Sequence, residues 1–473
     1  MTRAGGNVVL RLRLALLPVT LAAAAALFAA VATERISTAS LRANITWLAA
    51  DERAGRMTPS AGLEASADYL AAQFRLAGLA PGGGEGSFFQ TASFTQVTPN
   101  SDEFRMVLRS GGRVVNVPGG NVSIHALAAL DYRDEPVVRL SRGGPPPDIA
   151  GKIVVAGEEY STEAALHLLE ARRPALILLA VGGERPSEAA PVLLETDTPI
   201  PPVIRIYSPV AGDLPAGRNP VSLTLHAAAP IRHVVALRNV AGMLRGSDPS
   251  VRDQFVILSA HYDHLGVRPP GPGNRIYHGA NDDASGVASL IEIAKALSAG
   301  QHPRRSVLFL ALFGEEEGLL GSGYYVRHPL IPLARTVADI NLEQLGRTDS
   351  SDGPEIGRFA FTGPSYSSLP QIITAAAKTA GASVYRKETA DDYFDRSDNY
   401  SFAMAGVVAH TVVVAFEFPD YHAVGDEAGK IDYGNLAKVD RGLAAGVAAV
   451  ADAAEAPKWS DTKAARVYRD ARP

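Results

Sequence analysis

The sequence contains no cysteine among its 473 residues. This absence excludes disulfides, thiolate metal ligands, a cysteine nucleophile and a lipidated N-terminal cysteine. An oxidising compartment stays compatible with the composition, because a chain of this length can bury a large core without covalent cross-links. A metal site in this protein would therefore have to be built from imidazole and carboxylate ligands.

Positive charge is also sparse. Lysine accounts for 8 of the 45 basic residues, the formal net charge is -5, and no long basic stretch occurs. A nucleic-acid partner therefore has no electrostatic support in the sequence. The sequence also lacks a G-x-S-x-G stretch, which argues against the nucleophile elbow of a serine hydrolase.

The first 32 residues are typical of an export signal. Arginines precede an uncharged apolar run over residues 14–32, and Ala30 and Ala32 form a small-x-small cleavage pattern at its end. The run is long for a signal core and just long enough to span a bilayer, so a cleaved signal peptide and a membrane anchor both stay open. In either case we expect the rest of the chain to be periplasmic or secreted.

The texture of the sequence changes twice along the chain. Residues 33–109 begin with helical periodicity, and residues 110–228 contain short β-like runs with many prolines and glycines. From residue 229 to residue 456, apolar strand-like runs alternate with helical patterns. We therefore expect one α/β domain made of the first and third segments, a smaller inserted β-rich α/β domain between them, and a C-terminal tail over residues 457–473.

The third segment predicts the layout of the main sheet. The runs "FVILSA", "SVLFLALF", "VADINL" and "GVVAHTVVV" predict buried strands, and "SGVASLIEIAKALSAG" predicts a helix between the first two. Apolar strands that alternate with helices indicate a sheet covered on both faces. The predicted fold class is therefore α/β, with a mixed, mostly parallel sheet sandwiched by helices.

Acidic and histidine residues stand at the ends of these predicted elements. In chain order they are His261, Asp263, Asp282, Asp283, Glu315, Glu316, Glu343 and His422. Because ligands in open α/β sheets bind outside the carboxyl ends of the strands, we expect these side chains to lie close together. Imidazole and carboxylate are the ligands that zinc takes when thiolate is absent.

Several of these residues also have structural explanations. A single histidine after a strand is usually structural, and Asp282 and Asp283 could cap the helix that follows them. The three glutamates at positions 315–317 repel one another beside a buried strand, and either a solvated loop or a bound cation would relieve that repulsion.

The stretch "HYDHLG" adds a feature of metal-bound histidines. Asp263 stands two residues after His261 and can accept the proton on the remote ring nitrogen, which would orient the imidazole toward a metal. His264 and His278 are alternative ligands, but neither has such an aspartate in the motif.

Six stretches carry a family resemblance, and they occur in the order "AHYDHLG", "GANDDASG", "GEEEGLLGS", "NLEQLG", "RSDNYSFAMAGV" and "PDYHAVGDEAGKID". As a set they resemble the two-zinc (co-catalytic) metallopeptidases, which include bacterial leucyl aminopeptidase, aminopeptidase Y, glutamate carboxypeptidase and the non-catalytic transferrin receptor. The stretch "LAADERAGRMTPSAGLEASADYLAAQF" resembles the N-terminal segment of that family. Residues 110–228 resemble the protease-associated domain that many members insert.

The resemblance implies a ligand set for two zinc ions per chain. His261 and Glu343 would hold one ion, Glu316 and His422 would hold the other, and Asp282 would bridge them. The ligand types also suit cobalt or manganese, so the native metal stays open.

The resemblance also implies roles for two further residues and shows two departures. Asp263 would orient His261, and Glu315 would be the general base. Glu343 stands where the family often has aspartate, which changes the reach of that ligand by one methylene. Asn399 stands where histidine is common, which puts the neighbouring substrate contacts in doubt.

The function implied is that of an exported aminopeptidase acting on peptides. A carboxypeptidase or dipeptidase of the same family is the first alternative, and Arg268, Arg347 or Arg396 would then bind the substrate carboxylate. A substrate amine would instead need a carboxylate such as Asp398 or Asp392. A non-catalytic binding protein of the receptor branch is the second alternative, which the complete ligand set disfavours. No pattern in the sequence indicates the oligomeric state.

Overall fold

The computed structural model describes residues 35–471, except residues 101, 141–147, 184, 186–190, 197–200 and 215–218. The predicted export signal lies outside the described residues. The chain divides into two compact units, one formed by Met1–Ala92 with Leu237–Pro473 and the other by Ser93–Ala236. Within the described part of the chain, none of the helices is long and apolar enough to cross a membrane.

The helices in chain order are α1 (Thr38–Leu48), α2 (Ala61–Leu76), α3 (Glu163–Glu170), α4 (Val210–Asp213), α5 (Ala284–Ser298), α6 (Leu320–Arg327), α7 (Leu369–Thr379), α8 (Asn399–Met404), α9 (Tyr433–Asp452) and α10 (Arg466–Asp470). The strands are β1 (Ala80–Pro81), β2 (Phe89–Thr98), β3 (Arg105–Ser110), β4 (Arg113–Val117), β5 (Val122–His125), β6 (Leu130–Arg139), β7 (Ile153–Ala156), β8 (Leu176–Val181), β9 (Val192–Leu194), β10 (Val203–Tyr207), β11 (Val221–Ala227), β12 (Ile231–Leu244), β13 (Phe255–His261), β14 (Ser306–Leu312), β15 (Thr336–Glu343), β16 (Arg358–Phe361), β17 (Ser383–Val384) and β18 (Ala409–Val413).

The first unit is built on a mixed sheet with strand order β17-β16-β18-β15-β13-β14-β12. Its central strands β14, β13, β15 and β18 run parallel, whereas β12 and β16 are antiparallel to their inner neighbours. The carboxyl ends of the four parallel strands therefore meet at one edge of the sheet. This arrangement confirms the predicted mixed, mostly parallel α/β fold.

The central strands are apolar along their whole length because side chains on both faces are buried. Every residue of β13 and of β14 is buried. A strand that is solvated on one face would instead alternate apolar and polar residues. Helix α5 packs on β13 and β15, and α8 packs on β15 and β18.

Local signals explain where the helices begin. Ser60 caps α2 by accepting a hydrogen bond from the Leu63 N–H at 3.1 Å. Asp283 caps α5 in the same way, through the Gly286 N–H at 3.0 Å. A side chain at Gly286 would lie 2.6 Å from the Leu342 carbonyl oxygen, so α5 approaches β15 as closely as glycine allows.

The second unit, Ser93–Ala236, contains a separate mixed sheet with strand order β4-β3-β11-β6-β7-β8-β10-β5. Strands β6, β7, β8 and β10 are parallel to their neighbours in that order, and β5 pairs antiparallel with β10 at the edge. One apolar cluster of this unit joins α3 to β7, β8 and β10 through Leu166, Val154, Ile177 and Val203. Its interpretation as a protease-associated domain stays a prediction.

Candidate metal centre

The five predicted metal ligands lie together at the carboxyl edge of the first unit's sheet. His261 is the last residue of β13 and Glu343 is the last residue of β15. Glu316 follows β14 by four positions, and Asp282 comes two residues before α5. His422 reaches the same place from the loop that follows β18.

Asp282 is the centre of the arrangement. Its Oδ1 lies 3.2 Å from the Nε2 atom of His261, and its Oδ2 lies 3.2 Å from the Nε2 atom of His422. The carboxylate is almost completely buried. Burial alone would raise the pKa of Asp282, but the two histidines outweigh it and hold the pKa well below its ordinary value. Each oxygen of one carboxylate thus faces a different imidazole.

Two groups of ligand atoms share Asp282. In the first, one atom each of His261, Asp282 and Glu343 lie within 4.8 Å of one another. In the second, the same holds for His264, Asp282 and Glu316. His422 belongs beside the second group, because its Nε2 atom lies 3.3 Å from Glu316 Oε2.

His264, which the sequence offered only as an alternative ligand, lies within the second group. Its Nδ1 atom lies 2.7 Å from Glu316 Oε1, and its side chain is fully buried. The other alternative, His278, faces away from the cluster and contacts the exposed Asp51 at 2.9 Å. Its place in "HYDHLG", three residues after His261, was the only sign in the sequence. The contact with Glu316 depends on where β14 ends.

Asp263 lies beside His261. Its Oδ1 atom lies 3.5 Å from His261 Nδ1 and accepts a hydrogen bond from the Glu315 N–H at 3.1 Å. Its Oδ2 atom accepts a hydrogen bond from the Thr58 hydroxyl at 3.1 Å. Asp263 therefore connects the first histidine with the backbone of the glutamate pair.

The three glutamates at positions 315–317 occupy different environments. Glu315 and Glu316 border the cluster, whereas Glu317 is exposed. Burial raises the pKa of Glu315 well above its ordinary value, and Glu343 and Glu316 add to this effect. Burial likewise raises the pKa of Glu343 to about 7. The raised pKa values show that ionising all of these buried carboxyl groups is unfavourable. A bound cation would reduce the repulsion between their charges.

The turn that carries Asp282 is held from two directions. Asp426 accepts hydrogen bonds from the N–H groups of Asn281 and Asp282 at 3.0 and 3.1 Å, and it stands four residues after His422. On the other side, Asp283 Oδ1 also accepts the Gln344 N–H at 3.2 Å. The Asp282 turn thus joins the His422 loop to the end of β15.

Arg56 is a fully buried cation close to this turn. Its guanidinium donates to the carbonyl oxygens of Leu48, Tyr262, His278 and Gly279 at 2.7–3.0 Å. Burial lowers the pKa of Arg56 to about 10, against the opposing effect of nearby aspartates, so the charge persists at neutral pH. Arg56 ties the segment before α2 to both loops of the first ligand group.

Arg56 and Thr58 lie in the stretch that resembles the family's N-terminal segment, but no pattern in the sequence predicted a role for either residue. The glycine at position 55 is the one local signal. Its φ is +66°, and a side chain there would lie 2.3 Å from the Gly266 carbonyl oxygen, so the close approach of the two loops requires glycine. The close approach of these two loops brings Arg56 and Thr58 to the site. Asn399 hydrogen-bonds Phe394 and Thr411.

The donor set suits a metal ion. The Nε2 atom of His261 is buried without a hydrogen-bond partner in the described structure, and it faces a carboxylate. Burial opposes protonation of this ring, but Glu315, Asp263 and Asp282 raise the pKa of His261 well above its ordinary value. The site therefore favours a positive charge at this nitrogen, which a proton or a metal ion can provide.

A cavity of about 210 Å³ lies beside Glu343. Tyr393, Phe416 and Tyr421 give it an aromatic wall. Arg396 also borders it and lies over the Tyr393 ring, 5.1 Å from the centroid. A side chain next to a group bound at Glu343 would enter this space.

These features define a mixed α/β domain with a buried, two-part metal-ligand cluster at the carboxyl ends of its parallel strands. Residues 239–447 match the model of Peptidase family M28. The matched region holds all five predicted ligands, which confirms the resemblance to the co-catalytic zinc peptidases found in the sequence.

Two relatives illustrate the extent of the similarity. The chain is 31% identical over 150 residues to a probable zinc metalloprotease of the fungus Leptosphaeria maculans, a match that covers 30% of this chain and 33% of the relative. The chain thus spans about a third of that relative's length. It is 27% identical over 428 residues to the probable lipoprotein aminopeptidase LpqL of Mycobacterium tuberculosis, covering 82% of this chain and 76% of the relative.

Among solved structures, the fold is similar to the aminopeptidase from Aneurinibacillus sp. strain AM-1. The TM-score is 0.57 at 19% identity, and the alignment covers 88% of this chain and 94% of the other. At this identity the likeness bears on the fold alone.

Proposed function

We propose that the protein is a two-zinc exopeptidase that releases N-terminal residues from peptides. The observation that carries the proposal is the geometry of Asp282, whose two oxygens face His261 and His422 at 3.2 Å each. A carboxylate shared in this way is what a pair of neighbouring metal ions requires. His261 and Glu343 would hold one ion, and Glu316 and His422 the other, with His264 next to the second group.

Zinc bound at such a site would polarise a carbonyl group and make a water molecule more acidic. The protein's own part in the reaction is to move a proton and to keep the ligands in place. Glu315 would take a proton from the attacking water and return it to the leaving amine. Asp263 would hold the His261 ring through Nδ1 while its other hydrogen bonds fix the Glu315 backbone.

The cavity beside Glu343 supports a preference for an apolar side chain at the cleaved residue. Its aromatic wall suits an apolar side chain, and its volume of about 210 Å³ limits the size. LpqL, which is similar to 82% of this chain, is described as a probable lipoprotein aminopeptidase. Of the two predicted amine anchors, Asp392 is exposed, whereas Asp398 is buried with both carboxylate oxygens unpaired among the described residues.

One observation favours the carboxypeptidase alternative. Arg396 borders the same cavity and could bind a substrate carboxylate. The other two candidate arginines are less suited: Arg347 is engaged by Asp349 and Asp420, and Arg268 donates to carbonyl oxygens of its own loop. We therefore keep carboxypeptidase activity as the second candidate.

Export is part of the proposal and rests on the sequence. Arg3, Arg11 and Arg13 precede the uncharged run over residues 14–32. Fractionation of cells that express the full chain, followed by N-terminal sequencing, would separate a cleaved signal peptide from a retained anchor.

A panel of three substrates tests the activity. It contains leucine p-nitroanilide, its N-acetylated form, and an N-blocked peptide with a free C-terminal carboxylate. The aminopeptidase proposal expects turnover of the first substrate alone, abolished by a chelator and restored by zinc. Hydrolysis of the N-blocked peptide at its C-terminus would favour the carboxypeptidase alternative, and chelator-resistant turnover would contradict the metal mechanism.

A further inference from the structure

The second unit, Ser93–Ala236, contains a cavity of about 480 Å³. Most of its wall is apolar and includes Val97, Ile124, Leu166 and Val203. The cavity lies where α3 covers the edge of the sheet formed by β10 and β5. A space of this size holds a small organic molecule.

Arg205 is the unusual residue in this wall. It stands in the middle of β10, between the buried residues Ile204 and Ile206. Across the sheet, its neighbours are Leu179 on β8 and Ser123 on β5. Arg205 points to the same side of the sheet as Val203, which packs in the apolar cluster beneath α3. An arginine therefore occupies a position at which the surrounding strands carry mainly apolar side chains.

The charge of Arg205 is not neutralised within the described structure. Among the described residues, no carboxylate forms an ion pair with its guanidinium and no group forms a hydrogen bond with it. Arg205 is half-buried. Its guanidinium therefore keeps its charge and is available to a bound anion.

His125 stands beside Arg205 and lines the same cavity. Its register partner on β10 is Val203, two residues before Arg205, so both polar side chains extend from one face of the sheet. Burial, and then the charge of Arg205, lower the pKa of His125 to about 4. The ring is therefore neutral at pH 7 and can donate or accept one hydrogen bond without adding charge.

The remaining polar side chains of the described lining are Ser161, which precedes α3, and His167 and Glu170 on α3. His167 is exposed and its Nε2 atom lies 4.0 Å from Glu170 Oε2. Glu170 is the one carboxylate among the described residues that line the cavity. The described lining consequently combines Arg205, the neutral imidazole of His125 and a large apolar surface, with Glu170 on the α3 side.

We propose that this cavity binds a small organic acid, with its carboxylate on Arg205 and His125 and its apolar body against the aliphatic wall. Two sources carry this chemistry: a free carboxylic acid and the C-terminal residue of a peptide. The site is independent of the metal cluster, so its existence does not depend on the proposed peptidase activity.

The test uses the full chain and the probe 4-methylpentanoate, with 4-methylpentanamide as its uncharged analogue. Ligand-observed NMR titration should give saturable binding of the acid and at least tenfold weaker binding of the amide. Arg205→Met should reduce the affinity for the acid at least tenfold and remove the preference over the amide. Arg205→Lys, which keeps the charge, should retain part of the affinity.

Arg133→Met is the matched control, because Arg133 is an exposed arginine of the same unit and does not line the cavity. It should bind the acid like the parent protein. A melting temperature of Arg205→Met no lower than that of the parent would show that the variant is folded. Equal binding of acid and amide by the parent, or unchanged binding of the acid after Arg205→Met, would overturn the proposal.

A second pair of probes identifies the source. N-acetyl-Ala-Leu with a free carboxylate and the same dipeptide with a C-terminal amide are titrated under the same conditions. If the free peptide acid competes with 4-methylpentanoate and the amide does not, the site takes C-terminal residues. If neither peptide competes while the simple acid still binds through Arg205, the site takes free acids.

Discussion

At the scale of single residues, Glu315 and Glu316 show how adjacent identical residues acquire different environments. Glu316 lies among the imidazoles of His264 and His422, and these interactions lower its pKa despite burial. For Glu315, the charge of His261 acts to lower the pKa, but burial outweighs it and raises the pKa well above its ordinary value. The first environment suits a metal ligand, and the second suits a group that takes up a proton.

We therefore predict different effects for two matched amide substitutions. Glu315→Gln should keep its metal but lose turnover by about 100- to 10,000-fold, because the amide cannot accept a proton. Glu316→Gln should lose a metal ion, since a carboxylate ligand is removed. Metal analysis of both purified variants beside their turnover on leucine p-nitroanilide checks this. Equal metal content in the two variants would contradict the division of roles.

At the scale of structural elements, Asp426 connects two loops that belong to different parts of the chain. It accepts backbone hydrogen bonds from the Asp282 turn while standing in the loop that carries His422. Burial raises the pKa of Asp426 to about 6. The carboxylate is therefore retained at neutral pH largely by the N–H groups that it accepts, and it holds Asp282 near His422.

Replacement of Asp426 by asparagine should loosen this connection. We expect a loss of metal affinity of about 10- to 100-fold, as is typical for groups that orient metal ligands, and a loss of about 1–3 kcal/mol in the free energy of unfolding. Asp432→Asn is the control, because Asp432 accepts one backbone N–H at the start of α9 and asparagine caps helices equally well. Equal metal affinity of the two variants would argue against a positioning role for Asp426.

Strand β18 carries the buried histidine His410, whose contacts define its charge state. The Thr362 carbonyl can only accept, so His410 Nδ1 donates to it at 2.8 Å and Nε2 accepts from the Ser367 hydroxyl at 2.6 Å. Burial lowers the pKa of His410 to about 4. The ring is therefore held neutral, and protonation is easier in the unfolded chain than in the folded one.

This difference predicts a specific acid sensitivity. The stabilisation is complete above pH 6.5, the ordinary value for histidine, and is lost as the pH falls from there to about 4. The full loss is about 3 kcal/mol at roughly 1.4 kcal/mol per pH unit. Denaturant unfolding of the parent and of His410→Asn across this range should show a smaller pH slope in the variant. Parallel slopes would show that His410 does not carry this linkage.

At the scale of the whole molecule, the cluster concentrates carboxylates in the interior of a chain whose net charge is only -5. Asp282 acts to raise the pKa values of Glu316 and Glu343, and these two glutamates act to raise the pKa of Glu315. Bound cations would remove this repulsion in the folded state alone. Metal binding should therefore contribute to the stability of the folded protein as well as to activity.

We predict that the purified active protein contains two divalent ions per chain and that chelation lowers its melting temperature. Elemental analysis gives the metal content, and calorimetry before and after chelation gives the change in stability. Restoring zinc should recover both the melting temperature and the turnover. Only trace metal in active protein would contradict the prediction, whereas one ion per chain would contradict the shared role of Asp282.

The alternation of buried strands and helices was readable from the sequence because residues buried on both faces form continuous apolar runs. The strands β14 and β18 lie inside the runs predicted for them, whereas β13 extends beyond its run by one residue at one end and β15 by one residue at each end. The positions of His261, Glu316 and Glu343 followed from the same pattern, since polar residues that directly follow such runs must meet at one sheet edge. Local order along the chain was sufficient for these conclusions.

Other features depended on which loops meet in space. The two oxygens of Asp282 face histidines that are far apart in sequence, Arg56 reaches carbonyls of distant loops, and His264 meets Glu316 where β14 ends. Arg205 reads as an ordinary strand residue until the structure surrounds it with an apolar cavity. Hydrophobic periodicity specifies which face of an element is buried, but the partner of a buried polar group is set by long-range packing, and only the tertiary structure decides it.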